Sequence, residues 1–324
     1  MIQITIGENE ENQRLDKFLK KFMKGAPLSY IYKLIRKDVK VNEKRVAIET
    51  ILNIGDEVKI YITDQELDEF RQKQLMFSKS KRQFTVAYED ENILIVEKPF
   101  GLLTHGDAVE KKNTLVNQVL SYLAERGEWN PRGEKSFTPA AVNRLDRNTT
   151  GLVMFGKNNK SVKALNEMIR EKGMIEKYYL TIVAGEVKSD LVLKDSLIKN
   201  EKTNTVKVYK STEEDDEGKN IETIVKPLAV KNGYSLLEVL LITGRTHQIR
   251  AHLADIGYPV IGDAKYGSRG VNNTVLNRFD LSTQFLHAYK LKFKDCIAPL
   301  EYMSGKEINS KLPEKYKLIR NSLF

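Results

Sequence analysis

The chain has 324 residues, 41% hydrophobic and 30% charged, a balance that supports two folded domains of unequal size and excludes a chain too polar to bury a core. Lysine and arginine exceed aspartate and glutamate by nine, 53 against 44, which points to a polyanionic partner, nucleic acid ahead of membrane. The single cysteine, Cys296, excludes a disulfide framework and a thiolate metal cluster and reads as a small buried side chain.

Residues 13–48 carry eleven Lys or Arg against three Asp or Glu, so the positive excess is a patch. Within it Leu15, Phe18, Leu19 and Phe22 recur at helical spacing. Ile31, Leu34 and Ile35 do so again after a Gly25-Ala26-Pro27 break, with Ser29 as the expected N-cap. Val39 and Val41 alternate about Lys40, Asn42-Glu43-Lys44 can turn, and a strand follows Gly55-Asp56 at 57–62. Two short helices and a hairpin make a small module over 12–63. The stretch 64–83 is charged and poor in β-branched residues, and reads as a linker with some helix around Leu67 to Leu75.

A second domain, 84–324, opens on a hairpin whose strands, 84–88 and 93–97, flank Asp90-Glu91-Asn92. Leu115, Val116, Val119, Leu120 and Leu123 trace one face of a helix from Thr114, and Val162, Leu165 and Ile169 trace another that stops at Gly173. Strands are expected at 152–155, 178–183, 223–230 and 235–243, the last two joined across Asn232-Gly233. The acidic run 213–217 reads as a solvated loop. Helices among hairpins predict an α+β fold around a mainly antiparallel, mixed β-sheet. No stretch approaches the roughly 18 apolar residues of a membrane span and the first residues show no secretory pattern, so a cytoplasmic protein is expected.

Two segments concentrate polar chemistry. In T-P-A-A-V-N-R-L-D-R-N-T-T-G, Asp146 lies between Arg144 and Arg147, whose charge favours the ionised carboxyl that a nucleophile or base requires. The same pattern describes a surface ion-pair cluster, and these residues alone leave both readings open. In L-L-I-T-G-R-T-H-Q-I-R-A-H-L a buried strand ends at Gly244 and a helix begins near Thr246. That places Arg245, His247 and Arg250 around a helix N-terminus, as an anion site or simply as one solvated face. The histidines, His105, His247, His252 and His287, show no metal-ligand spacing.

Taken in order, these segments resemble the RluA class of ribosomal RNA pseudouridine synthases. That class carries H-R-L-D-x-x-T-S-G around its catalytic aspartate. This chain reads Asn143-Arg144-Leu145-Asp146-Arg147-Asn148-Thr149-Thr150-Gly151, with Asn143 at the usual His and Thr150 at the usual Ser. The class also carries G-R-T-H-Q-I-R-x-H, matched from Gly244 to His252, and a K-x-Y strand matched by Lys177 and Tyr179 ahead of Gly185. Its K-P-x-G loop looks like Glu97-Lys98-Pro99 with Gly101 and His105. The 12–63 module is similar to an S4 RNA-binding domain, through Arg14-Leu15-Asp16-Lys17-Phe18-Leu19, Lys33-Leu34-Ile35-Arg36-Lys37, Val41-Asn42 and Gly55-Asp56. Ser29-Tyr30-Ile31-Tyr32 looks most like the RluC branch, which modifies uridines of large-subunit (23S) rRNA.

The resemblance implies an isomerase that flips a uridine out of its stack and converts it to pseudouridine, working as a monomer. Asp146 would act at the ribose, attacking C1′ or removing the 2′ proton. No atom is gained or lost, so no cofactor or metal is called for, and one carboxylate suffices where a glycosidase needs a pair. By the same resemblance Tyr179 stacks on the uracil with its hydroxyl near the C5 proton, and Arg250, or failing it Arg245, pairs with Asp146. Arg144, Arg147, Lys98, Arg245 and His247 are the expected RNA contacts at the site, and Arg14, Lys17, Lys33, Arg36 and Lys37 those of the S4-like module. Two alternatives remain: a synthase acting on tRNA, and a non-catalytic RNA-binding or ribosome-assembly factor, against which the carboxylate of Asp146 speaks.

Overall fold

Eight elements build the first unit: β1 (Ile2–Thr5), β2 (Gln13–Arg14), α1 (Leu15–Phe22), α2 (Leu28–Asp38), β3 (Val39–Val41), β4 (Ile51–Leu52), β5 (Glu57–Ile60) and α3 (Asp64–Gln72). The structure is a computed structural model that describes residues 1–72, 80–131, 133, 135–210 and 218–324. The acidic run 213–217 and Leu75 lie outside the described residues. The apolar faces of α1 and α2 close over a three-stranded sheet of order β1-β5-β3. Strand β1 precedes the expected start of the module; it pairs antiparallel with β5 and buries Ile4. Helix α3 occupies the first part of the expected linker, and its Leu67 is buried in the same core. Helix α2 starts at Leu28 with Pro27 in the N-cap position, two residues earlier than a Ser29 cap would allow. The pyrrolidine ring presets φ, here −62°, for entry into a helix.

The second unit runs β6 (Thr85–Glu89), β7 (Ile93–Lys98), α4 (Leu115–Glu125), β8 (Ala140–Ala141), β9 (Thr150–Gly156), α5 (Asn159–Arg170), β10 (Ile175–Ala184), β11 (Leu191–Asn200) and β12 (Thr205–Tyr209). It continues with β13 (Lys219–Lys231), β14 (Tyr234–Leu241), α6 (Gln248–Asp255), α7 (Arg269–Phe279), β15 (Leu286–Phe293), β16 (Glu307–Asn309) and α8 (Glu314–Leu323). Eleven strands form one sheet, in the order β12-β11-β13-β14-β10-β15-β9-β7-β6, with β16 on β15 and β8 on β9. Among the described residues its pairings are antiparallel except for β9 with β15, which makes the fold α+β with a mainly antiparallel, mixed sheet. Asn232 and Gly233 both take positive φ, 52° and 77°, as the two-residue hairpin between β13 and β14 requires.

Strand β9 is buried on both faces, which is why its sequence is a continuous apolar run. Val153 and Phe155 pack toward α4, whereas Leu152 and Met154 pack toward Leu165 and Met168 of α5. At the parallel join Gly151 has φ 111°, and a Cβ there would stand 2.1 Å from the carbonyl oxygen of Ala288. Only glycine lets β9 approach β15 at the end that carries the Asp146 loop. Cys296 is half-buried at the edge of the α5-side core instead of fully enclosed. The two units are joined by short polar contacts: the Asn159 amide N–H donates to Asn9 Oδ1 at 3.0 Å, and Ser136 Oγ donates to Glu10 Oε1 at 3.0 Å. No helix among the described residues is long and apolar enough to cross a membrane.

Candidate active site

The loop between β8 and β9 is pinned before it presents Asp146. Asn143 accepts the Met154 N–H at 2.8 Å and donates to the Leu152 carbonyl at 3.3 Å, so an amide at this position bonds the loop to two backbone groups of β9. Leu145 is buried, and its N–H donates to Thr104 Oγ1 at 3.1 Å while that hydroxyl donates back to the Leu145 carbonyl at 3.0 Å. The Thr149 N–H closes a turn onto the Asp146 carbonyl at 3.1 Å. Thr150 bonds through Oγ1 to the His287 ring at 2.8 Å, across the join of β9 and β15.

Lys98 is placed differently from the surface contact expected of it. It is 1% exposed, and its ammonium donates to the carbonyls of Pro99, Leu102 and Arg147 at 3.1, 2.8 and 2.9 Å. All three donors are engaged, so Lys98 buttresses the Asp146 loop from beneath and has none left for a phosphate. Burial pulls the ammonium down to about 7, with the Asp146 charge the opposing influence.

The opposite wall is α6. Gln248 ties its first turn to the sheet: Oε1 accepts the Arg245 N–H at 3.1 Å and the Thr243 hydroxyl at 2.9 Å, and Nε2 donates to the Glu222 carbonyl and Thr223 Oγ1. From this fixed turn Arg250 reaches the loop, with Nη1 2.9 Å from Asp146 Oδ2. Its Nε and Nη2 donate to the two oxygens of Asp263 at 2.7 and 2.8 Å. Asp263 is fully buried, and its Oδ1 also accepts the N–H groups of Lys265 and Tyr266. Burial pushes this carboxyl up, but the Arg250 fork and the two amides more than reverse it, leaving it below the usual carboxylate range. One guanidinium thus bridges a buried carboxylate that orients it and a half-exposed one that faces the cleft.

Tyr179 projects from β10 into the same cleft and is 5% exposed. Burial, then the Asp146 charge, raise the phenol well above its ordinary value, so it keeps its proton at neutral pH. His247 caps α6 with a left-handed φ of 54°, turns inward to lie 3.9 Å from Asp146 Oδ2, and meets the Tyr266 hydroxyl at 3.0 Å. Burial depresses it to about 4 against the pull of Asp146, so it is a neutral wall residue of the cleft. Arg144, Arg147 and Arg245 are exposed at the rim, with Arg147 loosely paired to Asp107 at 3.2 Å. The cleft holds about 670 Å³, room for one nucleotide.

The structure therefore brings Asp146, Tyr179 and Arg250 around one cleft. Asp263, Tyr266, Thr104 and Gln248 were not singled out from the sequence. Asp263 had a signal, an acidic residue directly after the apolar run Pro259-Val260-Ile261 and Gly262, and Gln248 had its place in the motif from Gly244 to His252; Thr104 and Tyr266 had none. In the first unit Lys17, Lys33, Arg36 and Lys37 are exposed without an ion pair among the described residues, whereas Arg14 is forked onto Asp16 at 3.0 and 3.2 Å.

This fold belongs to a known class of architecture: the solved structure of human RNA pseudouridylate synthase domain containing 4 matches with a TM-score of 0.57 at 24% identity, over 74% of this chain and 93% of that one. Residues 92–255 match the model of the RNA pseudouridylate synthase family. The chain is 35% identical over 312 residues to an uncharacterized RNA pseudouridine synthase of Mycoplasma capricolum, covering 95% of this chain and 97% of the other. It is 34% identical over 297 residues to the ribosomal large subunit pseudouridine synthase C of Escherichia coli, covering 90% and 88%. The chain belongs to the RNA pseudouridylate synthase family, in its RluA-type branch.

Proposed function

We propose that this protein isomerises specific uridines of large-subunit (23S) rRNA to pseudouridine, with Asp146 as the reacting carboxylate. The observation that carries the reading is the Asp146–Arg250 pair at 2.9 Å, set in a cleft that also presents Tyr179. A uridine leaves its stack at a cost of a few kcal/mol and enters the cleft, while Arg144, Arg147 and Arg245 at the rim take the neighbouring phosphates. Asp146 attacks C1′ or removes the 2′ proton as the N1–C1′ bond breaks, and Arg250 holds the carboxylate in place through its 2.9 Å hydrogen bond. Tyr179 offers a neutral ring for the uracil to stack on while it turns. C5 then bonds to C1′, and the C5 proton is released as N1 gains one. The relatives named for the large ribosomal subunit, matched over nine-tenths of the chain, support the rRNA target. Mapping pseudouridines in rRNA and tRNA from cells with and without the gene tests it: sites should vanish from 23S rRNA, and loss from tRNA alone would move the target.

The same proposal makes the first unit an S4-like RNA grip, resting on the unpaired, exposed Lys17, Lys33, Arg36 and Lys37. Replacing Lys33, Arg36 and Lys37 together with Gln should weaken rRNA binding and flatten the plot of log affinity against log salt by about 2 units. An unchanged slope would remove this surface from the interface. The same proposal takes the protein to work as a monomer; light scattering of the RNA-bound protein checks it.

A further inference from the structure

The cations around the cleft differ in how they are engaged. Arg250 is held by two carboxylates, and Arg144, Lys199, Lys219 and Arg245 are open to water. Lys177 is neither. It lies two residues before Tyr179 on β10, with both side chains buried and both lining the cleft. It is 6% exposed, and its ammonium has no hydrogen bond or ion pair with any described residue. Lys98, buried more deeply at 1% exposure, shows what a structural lysine looks like here, with three carbonyls around its nitrogen. Burial alone draws the Lys177 ammonium below its ordinary value, and no charged neighbour among the described residues offsets it. Burying most of a cationic side chain without a protein partner for its charge is costly, and in a cleft it leaves that charge free to meet a ligand.

We propose that Lys177 donates a hydrogen bond to a carbonyl oxygen of the extruded uracil and stabilises the negative charge the base acquires when its N1–C1′ bond breaks. The inference rests on the isomerisation reading. When that bond cleaves, its electron pair leaves with the base and spreads onto the ring oxygens, while C1′ is held on the Asp146 side. A fixed ammonium at one of those oxygens lowers the energy of the separated base and holds it in the cleft. The pair returns to C1′ as C5 bonds to it, and the proton lost from C5 is balanced by the one gained at N1, so the base departs neutral. A phosphate is the other anion within an RNA. The exposed arginines at the rim already serve it, and Lys177 lies with Tyr179, where the base must go.

The test compares wild type, Lys177→Met and Lys177→Arg, each as the full chain, on an rRNA fragment that contains the target uridine. Single-turnover rate at saturating enzyme, RNA affinity and thermal unfolding are measured together. Lys177→Met should lower the rate on the order of 10²-fold with affinity unchanged within about twofold. Lys177→Arg should recover part of the rate. The Met variant should melt no lower than wild type, because an apolar chain replaces an unpartnered charge; a purely structural lysine would show the reverse. Should Met fail to fold, Lys177→Gln takes its place. An unchanged rate overturns the inference. So does weaker RNA binding with the saturated rate intact, the mark of a phosphate contact. Wild-type protein that makes no pseudouridine in any RNA overturns the activity reading instead, and does so before the variants are compared.

Discussion

Asp146→Asn should bind RNA as tightly as wild type and lose pseudouridine formation on the order of 10⁴-fold or more in single-turnover rate. The amide keeps the shape of the carboxylate, and its oxygen can still accept from Arg250 Nη1, which stands 2.9 Å away in the native pair. The loop is held by contacts that the change does not touch: Asn143 on β9, Thr104 on Leu145 and Lys98 on the Arg147 carbonyl. Arg144, Arg147 and Arg245 remain on the rim for phosphates. What disappears is a group able to attack C1′ or take a proton. Release of tritium from RNA labelled at uridine C5 reads the reaction directly, and release near the wild-type rate would take Asp146 out of the chemistry.

Asp263→Leu is the change with the largest expected effect on stability, a loss of about 3–5 kcal/mol. It strips a buried guanidinium of two charge-assisted bonds and leaves the Lys265 and Tyr266 amides without their acceptor. Arg250 would keep only Asp146, and activity should fall with it. Adding Arg250→Met to Asp263→Leu should recover part of the stability, because the uncompensated charge is then gone. Urea unfolding of the two single variants and the double one measures the coupling, and additive losses would show that the pair does not act as a unit. The Asp263 carboxyl lies below its usual range in the fold, so its contribution is complete above the unfolded value of about 3.9 and fades as pH falls through that region. The difference between wild type and Asp263→Leu should therefore narrow below about pH 4.

The sheet was legible because most of its strands carry period-2 or fully apolar patterns closed by strong turn residues, as at Asn232-Gly233. Strands β8, β11, β12, β15 and β16 of that sheet were not, nor was β1 of the first unit, since short or heavily charged strands such as 191–200 depend on partners far away in the chain for their pairing. Asp146 and Arg250 were legible from the motifs around them. The second carboxylate on Arg250 was not, because Asp263 follows a glycine and reads like a turn carboxylate until Arg250 is seen to fork onto it. Lys98 and His247 are expected from the sequence as RNA contacts, because a sequence shows a side chain's chemistry without its surroundings. Three carbonyls enclose the first, and a left-handed cap turns the second inward.

The charges of the cleft are layered. At its floor one guanidinium serves two carboxylates, Asp146 and Asp263, a formal balance of one negative charge in a partly dehydrated place. At its rim Arg144, Arg147 and Arg245 stand in water. Mobile ions screen the second layer over about 8 Å at physiological ionic strength and reach the first much less. Ionic strength thus becomes a control on residence: raising it shortens the time an RNA stays on the protein, while the rate at which a captured uridine is rearranged holds constant.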